Sequence, residues 1–393
     1  MIDTIVLMLQ ADQFSIADHA RFSPSTKGFF EPPYYPLGGR GNFSCYQNPT
    51  AEELRKGIYK PRLTMTKRPR KGGFQITLRV EFSIPKLIFG NNFDEVEDNH
   101  FAPVVDNLLK SLREMGIIVF REKLVNASVS AVHYSKNILL PDYLIPSGIL
   151  NEIAKINLTK ALDLNQTDFR NDGHSLKFHA NSYELALYDK MRDLEKSKIS
   201  EKRAVEKDTV IQRDLFDILE PKKKPFEVLR IEARLNKREV IKRTFKKLEI
   251  KADLTFAQVF KKEIAQKVLL LHLDIIKKGY APFAYMPKSA KDFIADLRII
   301  QPKAKPRKIL QMLGFITACN ETGIREFREA IERLGKHHWP RLLKDWQGCK
   351  FTANRQTLKP LEDGLAVFAP LRLGDYCQRK ETLKKAGISD EML

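Results

Sequence analysis

One short segment combines residue types that could act on a phosphate. In residues 228–235, Arg230, Glu232 and Arg234 alternate with apolar residues, so their side chains share one face of a predicted strand. A carboxylate is a ligand for Mg²⁺ and guanidinium groups bind phosphodiesters, so this face could hold a metal ion and a nucleic-acid strand together. A row of cross-strand salt bridges at the surface produces the same pattern. The pattern alone leaves both interpretations open.

A second segment contains a candidate nucleophile. Tyr188 and Lys190 lie two residues apart, so they share one face of a predicted strand. Tyr188 could attack phosphorus and form a phosphotyrosine, and Lys190 could neutralise the charge that develops on the phosphoryl oxygens. A tyrosine packed at the sheet edge beside a lysine whose stem is buried is the structural alternative.

Two histidines, His133 and His179, are candidate metal ligands. His133 lies on the apolar face of a predicted strand, where a histidine is either a satisfied core residue or a ligand. His174 and His179 are five residues apart and face opposite sides, so the two-residue spacing of a paired metal site is absent. His179 is a lower-ranked candidate for metal binding or proton transfer. The sequence has neither a P-loop nor a Gly-x-Ser-x-Gly elbow.

The elements that must position these residues change character near residue 235. Before it, apolar residues alternate with period two in several segments, which predicts strands with intervening helices. The predicted elements are hairpins at 63–84 and 175–189, strands at 127–134 and 228–235, helices at 103–116 and from Ser147, and an exposed charged helical insertion at about 195–225.

After residue 235 the apolar spacing is that of helices. A capping-box pattern beginning at Thr255 predicts a helix to about residue 279, and others are predicted over 288–297, 307–317 and 324–334. The helices on either side of Gly323 are compatible with a helix-turn-helix or with a plain bundle. We therefore predict an α+β fold: a catalytic domain over 1–235, a helical DNA-binding domain over 236–350, and an unassigned tail over 351–393.

The composition indicates a polyanionic partner. The 393 residues include 68 Lys and Arg against 49 Asp and Glu, so 68 − 49 gives a formal charge of +19. The four cysteines are far apart, which argues against a disulfide scaffold or zinc knuckle, and no apolar run is long enough for a bilayer. A basic surface is compatible with DNA, with RNA or with an anionic membrane surface, so charge alone decides only the class of partner. We expect a cytoplasmic protein without a membrane partner. Two basic segments are either phosphate contacts or solvated surfaces. They contain Lys67, Arg68, Arg70 and Lys71, and Arg341 and Lys344.

Taken together, these segments resemble the replication initiator family typified by the gene II protein of filamentous phages. The resemblance runs in order along most of the chain, through residues 1–7, residues 80–92, the strand containing His133, residues 187–190 and residues 229–235. Members of this family nick one DNA strand at an origin and reseal it, which starts rolling-circle replication.

The resemblance implies roles for particular residues. Tyr188 would be the nucleophile, Lys190 a phosphate contact, and Glu232 with His133 ligands of Mg²⁺ or Mn²⁺. Phage members have Asp where this chain has His133, and a neutral nitrogen suits softer ions better, so this departure affects metal preference. The implied fold is an antiparallel-sheet, Rep-type ferredoxin-like core followed by helices. The implied partners are single-stranded and duplex origin DNA, a host helicase and a host polymerase, in the host cytoplasm if the gene is viral.

Two other functions are compatible with the same sequence features. A catalytically inactive member would act as a sequence-specific DNA-binding regulator. A transposase or conjugative relaxase would use the same tyrosine chemistry and would transfer strands between separate DNA molecules.

Overall fold

The computed structural model describes most of the chain. The described residues are 1–27, 43–50, 52–53, 56, 58–70, 73–141, 144–156, 163–170, 173–180, 183–195, 227–285, 287, 289–335, 337–349, 351, 356–372 and 374. The predicted charged insertion at about 195–225 and most of the predicted tail lie outside these residues, as does Lys71.

Within the described residues, a nine-stranded antiparallel sheet forms the centre of the structure. Its strands are β1 (Ile2–Gln10), β3 (Phe43–Gln47), β4 (Arg62–Arg70), β5 (Gly73–Ser83), β7 (Ser128–Leu139), β8 (Asp163–Arg170), β9 (Ser175–Ala180), β10 (Tyr183–Asp189) and β11 (Val228–Leu235). Their order across the sheet is β3-β4-β5-β1-β7-β11-β10-β9-β8. A separate two-stranded sheet joins β2 (Phe14–Ile16) to β6 (Ile117–Val119).

Helices accompany the sheet and predominate after β11. Those before it are α1 (Ile84–Phe89), α2 (Phe101–Glu114), α3 (Arg121–Val125), α4 (Pro146–Ala154) and α5 (Lys190–Glu195). Those after it are α6 (Arg238–Lys247), α7 (Phe256–Val259), α8 (Lys262–Ala284), α9 (Ala290–Ile300), α10 (Pro306–Thr322), α11 (Ile324–Leu334), α12 (His338–Gln347) and α13 (Lys359–Val367). The protein is therefore a mixed α+β chain with helices towards its C-terminus, as predicted.

Several predicted elements are confirmed, and one differs. Both hairpins form, as β4 with β5 and β9 with β10. The helix predicted from Thr255 is two helices, α7 and α8, because the backbone leaves helical geometry at Phe260 (ψ 67°). The Phe260 ring packs 5.2 Å from that of Phe101, so tertiary packing overrides the helical pattern there.

The helices after residue 235 pack directly on the sheet. Phe256 of α7 makes edge contacts with the rings of Phe82 in β5 and Phe101 in α2, at 6.0 and 5.1 Å. On β7, Tyr134 donates a hydrogen bond to the Val259 carbonyl, and α8 packs against β7 and β11. Buried apolar residues from before and after residue 235 thus belong to one core. Among the described helices, none has the length and apolarity needed to cross a membrane.

Candidate active site

Strand register brings the predicted chemical residues onto one polar face. On β11, Glu232 pairs with Ser135 of β7 on one side and Ala186 of β10 on the other. In the same way, Arg234 pairs with His133 and Glu184, and Arg230 pairs with Asn137 and Tyr188. Directly paired residues project to the same side, so His133, Glu232 and Tyr188 share one face of three adjacent strands.

A β-bulge adds Asp3 to this face. Ile2 pairs with Tyr134 and Thr4 with His133, so β1 has one extra residue, Asp3, between these two pairs. A bulge re-aims side chains that would otherwise follow strict alternation. The Asp3 carboxylate accepts hydrogen bonds from Thr4 Oγ1 at 2.9 Å and from Arg230 Nη2 at 2.6 Å.

Asp3, His133 and Glu232 form a cluster with the donor set of a metal site. Each contributes one possible ligand atom, and these atoms all lie within 4.8 Å of one another. His133 Nδ1 lies 3.5 Å from Glu232 Oε1, and its Nε2 is 2.9 Å from Asn236 Oδ1, which orients the ring. Two carboxylates and one imidazole suit Mn²⁺ well and Mg²⁺ through its oxygen ligands. The cluster is a candidate site that the strand pairing builds from β1, β7 and β11.

Two arginines keep the two carboxylates of the cluster ionised. Arg234 donates to both oxygens of Glu232, at 3.0 and 3.1 Å, and to Glu184 at 2.7 Å. Burial opposes ionisation of Glu232, but Arg234 and then Arg230 lower its pKa below the usual value. Burial likewise opposes ionisation of Asp3, and Arg230 and Lys190 lower its pKa. Ionised oxygens retain lone pairs beyond those that accept from arginine, so a cation can still be coordinated.

The predicted nucleophile lies beside this cluster. Tyr188 donates a hydrogen bond of 3.3 Å to Glu232 Oε2. Burial raises the pKa of Tyr188 well above its usual value, and the nearby Glu232 raises it further although Arg230 opposes the effect. Lys190 is fully buried at the start of α5, and its Nζ lies 5.8 Å from the centre of the Tyr188 ring. Lys190 is therefore near Tyr188, but it lies on a helix and inside the fold instead of on the strand face that was predicted for it.

His179 and Arg230 differ from their predicted roles. His179 lies two strands away from Glu232, on β9, and its Nδ1 contacts Glu184 Oε2 at 3.1 Å, so it does not belong to the cluster.

The guanidinium of Arg230 was expected to contact DNA phosphate. It is 2% exposed and donates to Asp3, to Ser135 Oγ and to other acceptors within the fold, so burial directs it to the carboxylate. Arg234 is paired with the two glutamates but keeps a quarter of its side chain exposed, at 26%.

The predicted basic contacts divide into exposed and buried residues. In the β4–β5 hairpin, Arg68 and Arg70 are exposed, whereas Lys67 is buried with its Nζ 4.7 Å from the centre of the Phe74 ring. Lys67 is therefore removed from the set of surface phosphate contacts, because its ammonium group packs on an aromatic face. Arg341 and Lys344 are exposed on α12.

The helices on either side of Gly323, α10 and α11, do not have the geometry of a helix-turn-helix. Gly323 alone separates α10 from α11, whereas the motif has a turn of about three to four residues. Gly323 has φ +86°, which favours glycine at this tight junction. The α11 sequence contains three glutamates and three arginines, so the helix has no net positive charge to attract DNA phosphates. We therefore do not assign groove reading to α11.

Sequence reasoning missed Asp3, Glu184 and Asn236. Asp3 stood within residues 1–7, the first segment of the resemblance, but strict alternation gives no reason to point it towards His133. Glu184 could have been found because it shares the Tyr188 face of β10. Asn236 gives no signal in the sequence, since only the turn after β11 brings it to His133.

Comparisons with known proteins add no family assignment. No protein-family model, no curated protein and no solved structure matches this chain.

Proposed function

We propose that this chain is a metal-dependent nicking and closing DNA endonuclease that starts rolling-circle replication. The observation that carries the proposal is the 3.3 Å contact between the Tyr188 hydroxyl and Glu232, at the edge of the cluster that Glu232 forms with Asp3 and His133. A candidate nucleophile and a cation site meet there on one sheet face, and the buried Lys190 of α5 lies 5.8 Å from the centre of the nucleophile's ring. We also propose that this sheet is a core of the Rep type.

The residues of the site have distinct chemical roles in this proposal. Asp3, His133 and Glu232 would hold Mg²⁺ or Mn²⁺, which would supply polarisation of the scissile phosphate when bound. Tyr188 Oη forms a bond to phosphorus as the bond from phosphorus to the 3′ oxygen breaks. The tyrosine proton leaves towards Glu232, and the departing 3′ oxygen takes up a proton from solvent water to become a hydroxyl. Lys190 is fully buried and lies 3.6 Å from Asp193, so it would offset the negative charge on the phosphoryl group from a distance and not by direct contact.

Resealing is the reverse of this reaction. The 5′-phosphate stays on Tyr188, so the energy of the phosphodiester is retained, and attack by the 3′-hydroxyl restores the DNA strand without ATP. The raised pKa of Tyr188 means that a free phenolate is rare near neutral pH, so proton removal must accompany attack. The proposed partners are single-stranded and duplex origin DNA, a host helicase and a host polymerase, and the proposed location is the cytoplasm.

A cleavage assay tests this function. Labelled single-stranded DNA from the protein's own replicon is incubated with the wild type, Tyr188→Phe or Tyr183→Phe, with Mg²⁺, Mn²⁺ or EDTA. Tyr183 is the matched control, because it lies on the same strand but packs against His272 with ring centres 5.6 Å apart. We expect metal-dependent cleavage that Tyr188→Phe abolishes and Tyr183→Phe retains.

Other outcomes of the assay assign the alternatives. Tight binding of DNA without cleavage in either metal, across the whole replicon, would support the DNA-binding regulator. Transfer of a labelled strand to a separate DNA molecule would support a transposase or relaxase.

A further inference from the structure

Helix α6 presents a row of cations that no predicted site includes. Its ten residues, Arg238–Lys247, contain five cations and one carboxylate. Arg238, Lys242 and Lys246 are spaced at i, i+4 and i+8, so they form a stripe along one side of the helix with about 6 Å between successive residues. Lys242 and Lys246 are exposed. Within the described part of the chain, neither makes an ion pair.

This stripe lines a groove. The groove, of about 680 Å³, lies between α6 and the segment at residues 249–254, which adds Lys251 to the three cations of the stripe. Glu249 and Asp253 also line it, so the lining has four cations against two carboxylates. At one end, Arg238 Nη1 donates to Ser128 Oγ and, at 3.2 Å, to the Val129 carbonyl, which fixes the stripe against the start of β7.

The groove begins close to the candidate active site along the chain. Only Asn236 and Lys237 separate β11 from α6, and Asn236 contacts the imidazole of His133. Arg238 is six positions after Glu232 in the chain, a path of at most about 20 Å at the rise of an extended strand. The backbone at the two places is therefore no farther apart than the span of a few nucleotides.

A cation row on a helix can have a purely local role. Lys246 and Lys247 lie in the last turn of α6, where positive charge stabilises the helix dipole. That role accounts for neither Lys242, in the middle of the helix, nor the convergence of Lys251 from the facing segment. Repeated cations along one groove match the repeated charges of a sugar-phosphate backbone.

We propose that the groove between α6 and residues 249–254 binds the backbone of single-stranded DNA on its way to or from the candidate active site. The choice of a single strand rests on the proposed nicking function. The contact is electrostatic and independent of sequence, with Lys242 and Lys246 as its main phosphate ligands.

Binding of a fluorescein-labelled 20-nucleotide oligo-dT, followed by anisotropy from 50 to 200 mM NaCl, tests this groove. The full chain is used with EDTA present, so that no cleavage occurs and the result is independent of the nuclease proposal. The test variant is Lys242→Gln with Lys246→Gln. The matched control is Lys110→Gln with Arg113→Gln, which removes the same charge from exposed positions on α2.

We expect the Lys242 and Lys246 double variant to bind at least about tenfold more weakly at 100 mM NaCl, because two phosphate contacts are lost. The slope of log K against log salt should decrease by about 1.4, since each single-strand contact contributes about 0.7. The control should keep the wild-type slope, and Lys242→Arg with Lys246→Arg should keep the affinity. Circular dichroism melting checks that every variant is folded.

Two results would overturn the proposal. One is an equal loss of affinity and of salt slope in the test and control variants, which would mean that only net charge matters. The other is a loss of affinity in the Lys242 and Lys246 double variant that is as large for a 20-base-pair duplex as for the single strand, which would mean that the groove does not prefer single strands. If the groove variants lose binding as expected but the protein never cleaves DNA, only the nuclease proposal is wrong. If the protein cleaves DNA but the groove variants bind like the wild type, only the groove proposal is wrong.

Discussion

The cluster of Asp3, His133 and Glu232 predicts which residues bind a metal ion. Asp3→Asn or Glu232→Gln removes an anionic ligand, and we expect Mn²⁺ affinity to fall at least about tenfold. His179→Ala should change it by less than about twofold, because His179 contacts Glu184 instead of the cluster. Titration of Mn²⁺ followed by electron paramagnetic resonance measures both. A loss in His179→Ala as large as that in Asp3→Asn would contradict the assignment.

The ion pair of Asp3 with Arg230 predicts a pH-dependent contribution to stability. The folded protein lowers the pKa of Asp3, so this contribution is complete above the unfolded pKa, about 3.9, and is lost as pH falls through the folded value. Asp3→Asn leaves Arg230 without its carboxylate, and we expect the free energy of unfolding to fall by about 3 to 5 kcal/mol at pH 7.

Urea unfolding at pH 7 and pH 3 measures this effect. The difference between wild type and Asp3→Asn should be smaller at pH 3, where the wild-type carboxylate is partly protonated as the chain unfolds. An equal difference at both pH values would show that the ion pair does not cause it.

At the scale of elements, the β4–β5 hairpin predicts a second DNA contact. Arg68 and Arg70 are exposed near its tip, so replacing both by Gln should lower the salt slope of single-strand binding by about 1.4 and leave stability nearly unchanged. The Lys110 and Arg113 double variant again serves as control. An unchanged slope in the hairpin variant would mean that the tip is a solvated surface without a role in binding.

The sequence predicted individual strands and helices better than it predicted which strands pair with each other. Alternation in residues 228–235 and 183–189 put Glu232 and Tyr188 on definite faces, and the structure has those faces. The pairing of β11 between β7 and β10 could not be predicted, since strands far apart in the chain become neighbours only through the packing of the whole sheet. The bulge at Asp3 could not be predicted either, because it inserts one residue into the pairing of β1 with β7, and no local sequence pattern specifies that register.

At the scale of the whole molecule, the shared core predicts one cooperative unfolding transition. Both tryptophans, Trp339 and Trp346, lie in α12, so their fluorescence reports on the helical segment. Far-ultraviolet circular dichroism reports on the whole chain. Because helices after residue 235 pack on the sheet, we expect the two signals to have the same urea midpoint. Separate midpoints would instead support the independent helical domain predicted over 236–350.

The position of the covalent bond to DNA tests the central claim most directly. The protein is incubated with single-stranded replicon DNA and Mn²⁺, the DNA is digested with nuclease, and the tryptic peptides are analysed by tandem mass spectrometry. The proposed mechanism predicts a nucleotide attached through its 5′-phosphate to Tyr188, absent when EDTA replaces the metal. A nucleotide on any other side chain, or no adduct while DNA is cleaved, would contradict it.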